Sequence, residues 1–147
     1  MDDCRKAVRR VARSTNRLNG VYYFLGKRSG VNENTLAFLC VLDDGEPHTQ
    51  KEISDKYLIP RTTVNSIAKA LLAEGYIRFC PQRIGKEKEL LFTPEGREYA
   101  KKTLAVIYAA EDRAMEKTLS GFSPEFISAL EYYTDCLNEE LNALSRE

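Results

Sequence analysis

Residues 49–96, TQKEISDKYLIPRTTVNSIAKALLAEGYIRFCPQRIGKEKELLFTPEG, decide the fold. Thr49 and Glu52 have the Thr-x-x-Glu spacing of a capping box, in which each side chain satisfies a backbone amide at a helix start. A short helix is therefore predicted from Thr49. Ile53 and Tyr57 fall on one face of it, and Leu58-Ile59-Pro60 interrupts it, because the residue before a proline is pushed out of helical geometry. A second helix is predicted over 60–74, with Pro60 as its first residue, where a missing N–H has no intrahelical partner to lose. Gly75 suits the left-handed position that ends a helix. Tyr76-Ile77-Arg78-Phe79-Cys80 alternates and is rich in aromatic and β-branched residues, so it reads as a strand. Glu89-Leu90-Leu91-Phe92-Thr93 answers it across the hairpin tip 81–88, and Thr93-Pro94-Glu95 opens a further helix. This order of elements is that of a winged helix-turn-helix.

The predicted helix 60–74 separates packing from contact. Val64, Ile67, Ala68, Leu71 and Leu72 form an apolar stripe. Arg61, Thr62, Thr63, Asn65, Ser66 and Lys69 lie mostly off it, and each can hydrogen-bond to base edges or phosphates. In isolation such a face is an ordinary solvated surface; between a helix-turn and a wing it is the surface of a recognition helix. Thr49 and Gln50 at the preceding helix start, and Arg83, Lys86 and Lys88 on the hairpin, complete the candidate nucleic-acid contacts. A tip of that kind can lie along a minor groove.

These residues resemble the MarR (multiple antibiotic resistance regulator) family of winged helix-turn-helix transcription factors. The resemblance is carried by Thr49-Gln50-Lys51-Glu52-Ile53-Ser54, Pro60-Arg61-Thr62-Thr63-Val64-Asn65-Ser66-Ile67, Leu71 to Ile77, and Leu91-Phe92-Thr93-Pro94-Glu95-Gly96. It implies a homodimer with two recognition helices on a pseudo-palindromic operator in double-stranded DNA, and a repressor relieved by a small phenolic or aromatic effector. The family's wing carries an Asp-x-Arg, and the corresponding places here hold Ile84-Gly85-Lys86. Lys86 lacks the planar fork of arginine, and Ile84 has no group with which to brace it.

The expected fold class is mainly α with a small β-wing, a winged helix-turn-helix flanked by long dimerisation helices. The expected organisation is an N-terminal dimerisation helix over 1–30, a DNA-binding domain over 31–100, and C-terminal dimerisation helices over 101–147. Val8, Val11 and Leu18 recur near the start at steps of three and seven, and Phe126, Leu130, Leu137 and Leu141 recur near the end at steps of four and seven. Such stripes need partner helices. They are the candidate dimer interface, and packing within one chain is the alternative. Tyr22, Tyr23, Phe38 and Tyr108 are candidates for an effector pocket, against the commoner use of aromatics in a core.

The net charge is zero, but residues 48–102 hold 11 basic against 7 acidic, and residues 103–147 hold 3 against 9. The segment from Cys4 to Asn32 has no acidic residue and eight basic ones. It reads as a partner for the acidic C-terminal helix, or as a second phosphate-contacting surface. The four cysteines, Cys4, Cys40, Cys80 and Cys136, form no Cys-x-x-Cys pair and there is one histidine, so neither a metal site nor a cofactor is expected. Cys40 sits in an apolar run and reads as a core residue. Cys4, beside Arg5 and Lys6 at a helix start, is a candidate redox site, which gives a redox-sensing regulator of the same fold as an alternative function. A winged helix that only binds protein is the other alternative. No nucleophile with a base, no paired carboxylates and no phosphate-cradling glycine loop stands out, so an enzyme is not expected. With no signal-peptide pattern and no apolar run long enough to span a bilayer, the expected location is the cytoplasm, in association with the nucleoid.

Overall fold

The computed structural model describes residues 2–81 and 87–145. Its elements are helix α1 (Asp2–Ser29), α2 (Glu33–Leu42), strand β1 (His48–Thr49), α3 (Gln50–Tyr57), α4 (Arg61–Ala73), β2 (Ile77–Phe79), β3 (Glu89–Phe92), α5 (Pro94–Leu119) and α6 (Glu125–Leu144). The mainly helical winged helix-turn-helix expected from the sequence is present. The chain forms two compact units, residues 1–108 and residues 109–147.

In the first unit, α2 is the central element. Asn32 caps it by accepting a hydrogen bond from the Thr35 amide at 2.9 Å, which satisfies one of the amides a helix start leaves open. Its residues Phe38 and Leu39 are fully buried, with Leu36, Val41 and Leu42 nearly so. α1, α3, α4 and β3 all pack on it. A helix apolar on every side has no apolar period, and the run Leu36–Leu42 accordingly carries no helical signature beyond its cap. Cys40 packs at the edge of this core.

The sheet is antiparallel, with strand order β1-β3-β2. Ile77 lies opposite Phe92 and Phe79 opposite Leu90, while on the other side His48 pairs with Leu90 and Thr49 with Glu89. β1 has no counterpart among the elements expected from the sequence. Two residues are too few to show alternation, and Thr49 serves both as a strand residue and as the cap of α3.

The wing leaves the sheet through a tight junction with α5. Thr93 donates its amide to the Tyr76 carbonyl (3.0 Å) and its hydroxyl to the Gly75 carbonyl (2.6 Å), and its hydroxyl oxygen accepts from the Gly96 amide (3.0 Å). The Tyr76 and Tyr99 rings stack face to face with centroids 4.1 Å apart. Gly96 is buried in the first turn of α5, and a Cβ there would collide with the Tyr76 carbonyl. This close approach of backbones requires glycine.

The second unit contains the later part of α5, a turn, and α6. The Thr118 carbonyl accepts from both Gly121 and Phe122 to close α5, and the Ser123 hydroxyl accepts from the Glu125 amide at 3.3 Å at the start of α6. No residue of α6 is buried. No helix among the described residues is long and apolar enough to cross a membrane.

Gly96→Ala should destabilise the fold by roughly 1–3 kcal/mol, the cost of overpacking a filled site. Chemical denaturation measures this, and an unchanged midpoint would refute the close-approach reading.

Candidate nucleic-acid interface

The interface is built from the start of α3, the outer face of α4 and the base of the wing. The capping box at α3 forms as expected: the Thr49 hydroxyl accepts from the Glu52 amide at 3.1 Å, and the Glu52 carboxylate accepts from the Thr49 amide at 2.8 Å. The turn into α4 is organised by Ser54, which is buried. Its carbonyl accepts from the amides of Leu58 and Ile59, and its hydroxyl donates to the Ile59 carbonyl at 2.6 Å. Leu58 adopts the left-handed conformation, with φ of 50°, which a branched residue holds only when its surroundings impose it. Buried Ile59 on one side and the Ser54 hydrogen bonds on the other do so here.

Pro60 is the N-cap of α4 rather than its first helical residue, with φ −54° and ψ 136°. Its carbonyl accepts from Thr63 and Val64, so proline directs the chain into the helix while the turn before it stays extended. Val64, Ile67, Ala68 and Leu71 are buried, and Leu72 is half-buried. On the opposite side Arg61, Thr62, Asn65, Ser66 and Lys69 are all exposed, while Thr63 is half-buried at the edge. Ser66 donates its hydroxyl to the Thr62 carbonyl at 2.9 Å, which leaves its oxygen as an acceptor toward solvent.

Gln50, Lys51, Arg61, Asn65, Phe79, Glu87 and Lys88 line one open cleft of about 360 Å³. The Lys88 ammonium lies 5.0 Å from the Phe79 ring centroid, a cation–π arrangement that positions it at the wing base. Arg83 and Lys86 lie outside the described residues. Sequence reasoning missed Lys51, whose ammonium donates to Asp55 at 2.8 Å and holds that carboxyl below its ordinary value. The four-residue spacing of the pair was its signal.

A second missed feature braces the entry to β1. The Asp44 carboxylate accepts from the Glu46 amide at 2.8 Å and lies 2.9 Å from His48 Nε2, while His48 Nδ1 lies 3.7 Å from Glu52. The Glu46 amide, followed by His48, holds the Asp44 carboxyl below its ordinary value. The two carboxylates sit on opposite ring nitrogens and so do not converge on a common point. Among the described residues no group of His, Cys, Asp and Glu side chains is arranged to hold a metal ion.

The remaining candidates fall in different settings. Phe38 is a core residue, Tyr22 packs against that core, and Tyr23 is exposed, edge-on to Phe24 at 5.3 Å. Tyr108 lines a separate open cleft of about 390 Å³ with Leu42, Phe92, Arg97, Lys101 and Leu104. Its hydroxyl donates to Asp43 at 2.9 Å, and burial, then that hydrogen bond, pushes the phenol above its ordinary range. Val8 and Val11 are half-buried. Leu18, Phe126, Leu130, Leu137 and Leu141 are exposed at 39–59%, and Cys4 is exposed.

No protein-family profile matches the sequence, and no curated protein does. Solved structures do match. A MarR family regulator from Neisseria meningitidis is 22% identical, with a TM-score of 0.73 over 94% of this chain and 95% of that one. The MarR family transcriptional regulator SPO1453 from Silicibacter pomeroyi is 16% identical, with a TM-score of 0.70 over 86% and 91%. The M. tuberculosis transcriptional regulator MosR, solved in complex with DNA, is 18% identical, with a TM-score of 0.65 over 90% and 96%. The chain has the fold of these regulators.

A carboxyl held below its ordinary value of 3.8 stabilises the fold above that pH and loses the contribution as the pH falls through its folded value. The stability gap between the wild type and Asp44→Asn should therefore be present above pH 3.8 and close below it. Denaturation curves across that range decide the matter, and a gap that persists unchanged in acid contradicts the brace.

Proposed function

We propose that this chain is a sequence-specific regulator of transcription that binds double-stranded DNA as a homodimer. The observation that carries this reading is the outer face of α4. Arg61, Thr62, Asn65, Ser66 and Lys69 are exposed together on a helix whose other side is fixed in the core. A protein-docking face would be expected to offer large apolar anchors at its centre, and this one offers hydrogen-bonding groups. Asparagine can pair with adenine through both amide groups, and arginine with guanine through its fork. Gln50 and Lys88 line a cleft with Arg61 and Asn65 at the same face, and we assign them contacts to the DNA backbone. The DNA complex of the similarly folded MosR supports the assignment.

The homodimer is proposed from the apolar stripes that one chain leaves in solvent. Leu137 and Leu141 are more than half exposed on α6, as is Leu18 on α1. Closing such stripes against a second copy brings two recognition helices to half-sites about one helical turn, ~34 Å, apart. Repression, relieved by a small phenolic or aromatic effector, is the regulatory output we assign. The cleft at Tyr108 offers it an apolar floor in Phe92 and Leu104 and cations in Arg97 and Lys101. The place of action is the nucleoid.

Arg61→Ala and Asn65→Ala should each weaken binding to the cognate site by about 1–3 kcal/mol, whereas Lys69→Ala should weaken all sequences alike and flatten the salt dependence. Titration of cognate and random duplexes tests this, and equal losses on both for Asn65→Ala remove its base-reading role. Leu137→Lys with Leu141→Lys should convert a dimer into a monomer in sedimentation velocity. A wild-type chain that already sediments as a monomer contradicts the dimer.

A further inference from the structure

Helix α1 has two faces with different chemistry. At about 100° per residue, Val8, Val11, Leu18, Tyr22 and Leu25 fall on one side, and Tyr22 and Leu25 pack against the core. Arg5, Lys6, Arg9, Arg10, Arg13 and Arg17 fall within an arc of roughly 140° on the other side, and all six are exposed. Arg5, Arg9, Arg13 and Arg17 stand four residues apart, a ladder that rises about 6 Å per step.

Among the described residues of the first unit the four ladder arginines have no ion-pair partner. Lys6 alone on this arc is paired, with Asp2 at 2.8 Å and Asp3 at 3.8 Å. Like charges at i and i+4 destabilise a helix, so the ladder works against the helix that carries it. A local rule broken over three successive steps of four residues, with no compensation among the described residues of the first unit, is what a binding face leaves. The basic residues of the arc are mostly arginine, whose planar fork matches phosphate oxygens in pairs.

The position of the arc selects its occupant. A partner helix docked on the apolar side of α1 meets the side opposite the arginines. The segment Arg5–Arg17 carries no aromatic residue on which an unpaired base would stack. We propose that this face is a second nucleic-acid contact, which takes the phosphate backbone of duplex DNA without regard to sequence. The proposal rests on the DNA-binding reading for its ligand but on different residues for its contacts.

The test compares three full-length variants on a random-sequence duplex and on the cognate duplex across a salt series. The first carries Arg5, Arg9, Arg13 and Arg17 all changed to Gln, the second has the same four changed to Lys, and the third carries Arg61→Ala, Asn65→Ala and Lys69→Ala. The glutamine variant should keep its preference for cognate over random DNA while the slope of log affinity against log salt flattens by roughly 2–4, at about 0.9 for each phosphate no longer neutralised. The lysine variant should retain the wild-type slope. The α4 variant should lose the preference and still bind random duplex in a salt-dependent manner.

An unchanged slope in the glutamine variant overturns the proposal. So does a loss of affinity that tracks dissociation of the dimer in sedimentation, since the arginines would then meet the acidic residues of a second copy. Preferential binding of the wild type to phosphatidylserine vesicles over duplex overturns it in favour of a membrane. Salt-dependent duplex binding that disappears with the arginines, in a protein that distinguishes no sequence, upholds this face while the regulator reading fails.

Discussion

The burial of one stripe on α4 is the constraint on which the interface depends. Val64, Ile67, Ala68 and Leu71 are sequestered against α2, α3 and β2. Burying a Val, Leu or Ile side chain is worth roughly 1.5–3 kcal/mol, whereas turning a polar side chain from water to water is nearly neutral. The rotation of α4 about its axis is therefore set by the buried side, and Arg61, Asn65 and Lys69 face outward as a consequence. Ser54 then sets where the helix begins, since its three hydrogen bonds close the turn through Leu58 and Ile59. The same core residues that stabilise the domain thus preorganise its outer surface.

Much of this was legible in the sequence where local chemistry is strong. The Thr49–Glu52 capping box, the break at Ile59-Pro60 and the alternating strand after Gly75 each leave a signature within a few residues, and the structure has each of them there. The helix over Leu36–Leu42 was not legible, because a run that is apolar at every position lacks the apolar period that marks an amphipathic helix. β1 was invisible for a different reason: its pairing with β3 is a long-range choice made by two residues. Gly96 could be recognised as part of a motif, but its reason is the Tyr76 carbonyl, which is distant in sequence.

The candidate site divides in the same way. The polar face of α4 follows from a 3.6-residue period and needed only its buried side to be placed. Aromatic residues gave no comparable guide. Tyr22, Tyr23, Phe38 and Tyr108 lie at the core edge, in solvent, in the core and in a cleft respectively, because ring size rewards burial wherever space exists and says nothing about which rings meet. The charge on α1 lay open in the sequence, but its meaning required the angular relation between cations and apolar residues on one helix. Opposite faces give that helix two surfaces, one that packs in part on the core through Tyr22 and Leu25 and one that carries exposed cations.

Sequence-specific recognition of DNA by a twofold dimer is tested most directly by selecting, from a random pool at moderate salt, the duplexes that the purified full-length protein binds. The predicted result is enrichment of an inverted repeat whose half-sites are about one helical turn apart. A folded, dimeric protein that enriches no sequence would contradict it.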